Sequence, residues 1–148
     1  MRPTTDILLA VKLSARLYEQ NLEAVRKHYV LSHIEITILS FLHNNPSMDT
    51  AGEICDVRLL SKSNVSGGVD SLVQKGYLRR VPDQNDRRTI HLKLEPSTEP
   101  ILAGINSAVE QFEQQLFRNF TPAQREEYQK LNNLCFNNVQ QALEERNK

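Results

Sequence analysis

The stretch "RRVPDQNDRRTIHLKL", residues 79–94, is where the periodicity of the chain changes. Ile90, Leu92 and Leu94 alternate with His91 and Lys93, which is the two-residue repeat of a half-buried strand, and Leu78–Val81 reads as its partner. Between them, Pro82-Asp83-Gln84-Asn85-Asp86 has turn chemistry, so the segment reads as a projecting hairpin, a wing. Arg87 and Arg88 fall at the end of that turn, where no core can use their charge. A solvated turn carries such charges too; what lies upstream decides between the two readings.

Immediately upstream, "SKSNVSGGVDSLVQKG" (residues 61–76) reads as a helix. Ser61 is its N-cap, Val65, Val69 and Leu72 form its buried stripe, and Gly76 follows it as the residue that tolerates positive φ. Before it, "DTAGEICDVRLL" is a short helix with a Thr50–Glu53 capping box and with Ala51, Ile54 and Cys55 facing inward. A turn at Arg58–Leu60 joins the two, giving the dimensions of a helix-turn-helix. Further back, Ser32 and Glu35 form another capping box, opening a helix that Asn44-Asn45-Pro46 ends.

Long helices flank this segment. From about Thr5 to Tyr29, Ile7, Val11, Tyr18, Leu22, Val25 and Tyr29 make one stripe, longer than a small core can cover, so part of it is expected to meet another subunit. After Pro96, Ile101, Ile105, Val109, Phe112, Leu116 and Phe120 form a stripe over five turns. Thr121, Pro122 and Gln124 restart the chain as cap, first helical residue and capping-box partner, and Tyr128, Leu131, Leu134, Cys135, Val139 and Leu143 continue to near the end. The expected fold is mainly α with a small β-hairpin wing. Residues 31–97 form a winged helix-turn-helix domain, and residues 1–30 and 98–148 supply the dimerisation helices.

Charge is distributed to match. The chain has 148 residues with 18 basic and 18 acidic side chains, so it is no overall polycation. From Ser61 to Lys93, however, seven basic residues face three acidic ones, a local surplus of four, and it is the local field that a nucleic acid meets. No run of 18 apolar residues offers a membrane span, and Lys12 and Arg16 interrupt the N-terminal apolar stretch that a signal peptide would need, so a cytoplasmic protein is expected. No nucleophile elbow, phosphate loop or carboxylate pair suggests an enzyme or a cofactor. His28, His33, His43 and His91 are scattered without a metal-ligand pattern. Cys55 and Cys135 are too few for a disulfide framework. Cys55, on the apolar side of its helix, reads as a small hydrophobe, with a redox switch as the alternative.

The order of elements, and above all "GYLRRVPDQNDRRTIHLKL" (residues 76–94), resembles the multiple-antibiotic-resistance regulator (MarR) family of winged helix-turn-helix repressors. The positions that match its pattern are Gly76, Tyr77, Leu78, Arg80, Asp83, Asp86, Arg87 and Arg88, and "KSNVSGGVDSLVQKG" is similar to its recognition helix. The resemblance implies a homodimer with interlocked terminal helices, gripping a pseudo-palindromic operator in double-stranded DNA. It implies that Arg88 inserts into the minor groove, that Asp86 orients it and that Arg87 contacts a neighbouring phosphate, with Arg80 counted among the DNA-binding residues. The Asp86 carboxylate, two residues before Arg88, can hold its guanidinium in a fork geometry. An effector pocket between the winged domain and the dimerising helices is implied as well, with no particular effector. Thiol or zinc control, known in relatives, would be variants of that control.

On the helix itself, Lys62, Ser63, Asn64 and Ser66 occupy the first turns, the end that approaches base edges. Asn64 suits adenine, Lys62 suits guanine or phosphate, and the serines suit phosphates. Gly67 and Gly68 depart from the family's larger residues, at a cost of about 1 kcal/mol each relative to alanine. Such a cost is understandable where backbone passes close to DNA or to a neighbouring helix; a merely tolerated weakness is the equal alternative. The expected function is therefore a sequence-specific transcriptional regulator, a repressor in the simplest case. The alternative is a winged-helix module that contacts proteins.

Overall fold

The computed structural model describes residues 3–148, and side chains from Asp6 onward. Six α-helices and one antiparallel hairpin follow in the order α1 (Pro3–Tyr29), α2 (His33–Asn44), α3 (Ala51–Arg58), α4 (Lys62–Gln74), β1 (Leu78–Pro82), β2 (Ile90–Leu94), a 3-10 turn (Pro96–Thr98), α5 (Glu99–Leu116) and α6 (Pro122–Arg146). The chain divides into two compact units, one up to Phe112 and one from Glu113.

Local chemistry sets most boundaries. Ser32, Thr50 and Thr121 each close a reciprocal capping box, with Glu35, Glu53 and Gln124, so two orphan donors are satisfied at each helix start. Helix α3 ends at Leu59 in the left-handed region, at φ 53° and ψ 44°. After α4, Gly76 takes φ +79°, which lets Tyr77 N–H reach back to Leu72 O at 2.9 Å and turns the chain into the hairpin.

In the first unit, Ile36, Ile38, Leu39 and Phe41 of α2 meet Ile54 of α3, Val65, Val69 and Leu72 of α4, and Leu78 and Leu92 of the hairpin. Leu22 of α1 and Ile101 and Ile105 of α5 belong to the same core. The strands pair Leu78 with Leu94, Arg80 with Leu92 and Pro82 with Ile90. The hairpin is hooked to the body where Leu92 N–H donates to Asp49 O, in the α2–α3 loop, at 2.7 Å.

An ion pair between a buried carboxylate and a partly exposed ammonium joins α2 to the end of α4. Glu35, 4% exposed, accepts from Lys75 Nζ at 2.8 and 3.1 Å and from Ser71 Oγ at 3.3 Å, while Lys75 also donates to Val30 O at 2.7 Å. Burial pushes the Glu35 carboxyl up, but Lys75 and the Ser32 donors outweigh it and hold the group below the ordinary carboxylate range. The capping glutamate therefore also anchors α4 to α2.

In the second unit, Phe117 stacks edge-on with Phe120 and with Tyr128, both at 5.5 Å, and Arg125 lies 4.5 Å over the Phe117 ring. Phe120 does not extend the α5 stripe as its spacing suggests. The helix stops at Leu116, and Asn119, at φ 67°, reverses the chain before it. Exposed apolar side chains mark two helices: Ile7, Val11 and Leu13 on α1, and Leu131, Leu134 and Val139 on α6. Among the described residues, no helix is long and apolar enough to cross a membrane.

Candidate nucleic-acid interface

Helix α4 buries one side and leaves the other open. Val65, Gly68, Val69 and Leu72 are buried, and the residues left in solvent include Lys62, Ser63, Asn64, Ser66 and Gly67. Ser61 accepts from Asn64 N–H at 3.2 Å, a capping contact, and its hydroxyl lies 3.3 Å from that of Ser63. The Asn64 amide and the Lys62 ammonium thus emerge from the first turn beside free backbone N–H groups, the positive end of the helix dipole.

The adjacent glycines differ. A Cβ on Gly68 would lie 2.7 Å from Ile38 Cδ1 and 3.2 Å from Ile34 Cγ1, so this glycine lets α2 approach α4 closely. A Cβ on Gly67 would meet nothing within 4 Å. Of the explanations for these glycines, helix packing accounts for Gly68, and Gly67 leaves bare backbone on the outer face.

At the wing tip, two aspartates pin the backbone. Asp83 Oδ2 accepts from Asn85 N–H and Asp86 N–H, both at 3.0 Å. Asp86 Oδ1 accepts from Arg88 N–H at 3.0 Å and its Oδ2 from Thr89 Oγ1 at 3.1 Å. These are side-chain-to-backbone turns, in which a short acid substitutes for a main-chain partner. The expectation that Asp86 grips the Arg88 guanidinium is corrected: both carboxylate oxygens are engaged elsewhere, and Asp86 positions Arg88 through its backbone. Among the described residues, neither Arg87 nor Arg88 has an ion-pair partner, and both are exposed.

Arg80, expected to join them, sits apart. It is ion-paired with Asp70 of α4, and Arg79 pairs with Glu95 at 3.3 Å. Arg80 also lines a cavity of about 390 Å³ among α3, α4 and the hairpin, together with Lys62, Ser66, Ile90, Leu92 and Cys55. Cys55 is partly buried and packs against the core, as a small apolar side chain would.

His91, isolated from the other histidines in the sequence, belongs to a charged cluster in the fold. His91 Nδ1 lies 2.6 Å from Asp49 Oδ1 and its Nε2 lies 2.8 Å from Asp83 Oδ1, while Lys93 Nζ donates to Asp49 Oδ2 at 2.6 Å. The Asp49 and Asp83 hydrogen bonds raise the pKa of His91 above its ordinary value. Asp83 is held low by the His91 ring and by two backbone donors. Burial pushes Asp49 up, but His91 and Lys93 more than offset it. Asp49 lies 42 residues from His91, so no local pattern could have announced the contact.

A model of the MarR family matches residues 31–89, the stretch from the start of α2 to the wing tip. The HTH-type transcriptional regulator PecS of Dickeya dadantii (strain 3937) is 31% identical over 117 residues, covering 74% of this chain and 69% of PecS. In fold, a MarR protein from Peptoclostridium difficile DA00132 superposes with a TM-score of 0.81 at 19% identity, over 96% of this chain and 92% of that one. The S. aureus MepR–DNA complex gives a TM-score of 0.59 at 16% identity, over 86% and 96%. With its helix-turn-helix, its pinned wing and a regulator of this kind matched along most of its length, the chain belongs to the MarR family of transcriptional regulators.

Proposed function

We propose that the protein is a homodimeric, sequence-specific DNA-binding repressor that acts in the cytoplasm. Two copies of residues 31–97 grip a pseudo-palindromic operator, while residues 1–30 and 98–148 dimerise. Helix α4 enters the major groove with Lys62, Ser63, Asn64 and Ser66, and the wing enters the neighbouring minor groove through Arg88, with Arg87 on a phosphate. Arg80 supports the hairpin from its pair with Asp70 and contributes at the edge of the same face. Release follows a signal that acts through the junction of the winged domain and the dimer helices.

The observation that carries this reading is the pair Arg87–Arg88. Two unpaired guanidinium groups stand on a turn whose backbone two carboxylates hold, in the hairpin that follows α4 in the chain. Holding a cation rigidly in solvent without an acidic partner has no use to the fold, but a narrow, electronegative minor groove selects that arrangement. The apolar faces of α1 and α6 support the dimer, since each leaves large aliphatic side chains in water that a second copy would cover.

Selection of bound sequences from random duplexes, followed by fluorescence anisotropy, tests the reading. Arg88→Ala is expected to weaken binding by about 1–3 kcal/mol and to reduce the salt dependence, while Lys148→Ala leaves both unchanged. Equal affinities for the two variants would refute the wing's role. Failure of the wild type to select any duplex at low salt would favour a protein-contacting module.

A further inference from the structure

The wing carries a second device, behind its tip. His91 sits on β2 with a carboxylate at each ring nitrogen: Asp49 of the α2–α3 loop at 2.6 Å and Asp83 of the hairpin turn at 2.8 Å. A neutral imidazole has one N–H and one lone pair, so in that state one of these contacts would set a lone pair against a carboxylate oxygen. Only the imidazolium donates to both.

The surroundings agree on charge. The charged groups facing the ring are Asp49 and Asp83, and Lys93, two residues along β2, takes the remaining oxygen of Asp49. With His91 protonated, two carboxylates meet two cations; with His91 neutral, one carboxylate is left over. The two acids approach opposite nitrogens of the ring, so a single bound ion could not replace the proton by taking all three groups. Asp83 links the ring to the tip, because its other oxygen holds the N–H groups of Asn85 and Asp86, and Asp86 holds Arg88. The hook from Leu92 N–H to Asp49 O at 2.7 Å does not titrate. Loss of the proton therefore breaks the Asp49–His91–Asp83 bridge at one end, loosening the tip from the α2–α3 loop while the strand stays docked.

We infer that His91 is a positioning residue for DNA binding: its imidazolium clamps the wing turn to the α2–α3 loop, fixing the aim of Arg87 and Arg88, and deprotonation releases that aim. The inference rests on the DNA-binding reading proposed above. The sign follows from linkage. His91 has a folded pKa raised above its ordinary 6.5, so the clamp is complete below that value and is lost as pH rises through the raised one. Asp49 and Asp83 are both lowered, so they keep their charge well into the acid range. DNA affinity should thus fall on the alkaline side, with no change in the recognition helix.

Two measurements test it. Ring-nitrogen NMR on the wild type, assigned by comparison with His91→Gln, should show His91 doubly protonated at neutral pH. A singly protonated His91 ring at neutral pH overturns the clamp, whatever the variants do. Anisotropy on a selected duplex at fixed salt should show wild-type affinity falling roughly fivefold or more from about pH 6 to about pH 8.5, the scale of a typical coupling between sites. His91→Gln should bind weakly with a flat profile. Wild-type binding that does not change with pH, or His91→Gln retaining the wild-type slope, also overturns it. Arg88→Ala separates the two readings. If Arg88→Ala binds as well as wild type at about pH 6, the wing's role itself fails. If it binds poorly while His91→Gln matches the wild-type profile, the wing reads DNA and only the clamp fails.

Discussion

Replacing Gly67 and Gly68 one at a time by alanine should change stability unequally, although the two are neighbours in one helix. Both lie in the interior of α4, where alanine is favoured over glycine by about 1 kcal/mol because less backbone entropy is lost on folding. At Gly67 the added methyl meets nothing within 4 Å, so the gain is kept and the variant should be about 1 kcal/mol more stable. At Gly68 the methyl would arrive 2.7 Å from Ile38 Cδ1, with Ile34 at 3.2 and 3.3 Å behind it. Ile38 is fully buried, so its δ-methyl has no open space to retreat into and α2 must move or strain. Overpacking of this kind costs about 1–3 kcal/mol, which cancels the propensity gain or reverses it. The two variants should therefore differ by roughly 1–3 kcal/mol, or several degrees in Tm at this chain length. Urea and thermal unfolding of both variants and the wild type, at one protein concentration because dimerisation shifts the transition, would measure the difference. A Gly68→Ala protein as stable as Gly67→Ala would refute the close approach of α2 to α4.

Lys75→Ala should destabilise by about 2 kcal/mol, because it strands the buried Glu35 charge, whereas Lys27→Ala, which breaks only the exposed pair with Glu23, should leave stability close to that of the wild type. The same experiment run against pH has a sign: Glu35 is held low, so its contribution is present above the ordinary carboxylate pKa and lost as pH falls through the depressed one, and Lys75→Ala should shift that loss to higher pH. Leu59→Gly should stabilise by about 0.5–1 kcal/mol by urea unfolding, since Leu59 is 87% exposed and sits at a left-handed φ of 53° that glycine adopts without steric cost.

Much of the fold was legible because its decisive signals are local. The capping residues Ser32, Thr50, Ser61 and Thr121 lie within three positions of the groups they satisfy, so spacing alone locates the helix starts. The switch from helical to alternating periodicity after Gly76 marks the hairpin for the same reason. What escaped is tertiary or competitive. Glu35 announces itself as a capping partner, but its pairing with Lys75 spans 40 residues, and that of His91 with Asp49 spans 42. Charge pairing alone points Asp86 at the guanidinium of Arg88, but the nearer backbone N–H takes its oxygen. The Asp-x-Asn-Asp spacing itself carries the signal of the two aspartate turns. The spacing of Phe120 continues the α5 stripe, but Asn119, a residue that tolerates left-handed backbone, marks the reversal before it.

The acids of the wing explain why its cations remain available. Asp83 and Asp86 could each neutralise Arg87 or Arg88 at short range, which would cancel the local positive surplus at the tip. Instead, backbone N–H groups, the Thr89 hydroxyl and the His91 ring take their oxygens. Each acid spent on the main chain stiffens the turn and leaves one guanidinium unpaired, so rigidity and open charge come from the same contacts. A hairpin of this length without those ties would sample many tip conformations, and binding would have to order it at a cost of about 1–2 kcal/mol per residue fixed. The ties move that cost into folding. This also explains why the proton on His91 matters to the tip: Asp83 is the member of the set that joins the turn to the body, and His91 is the group that holds it there.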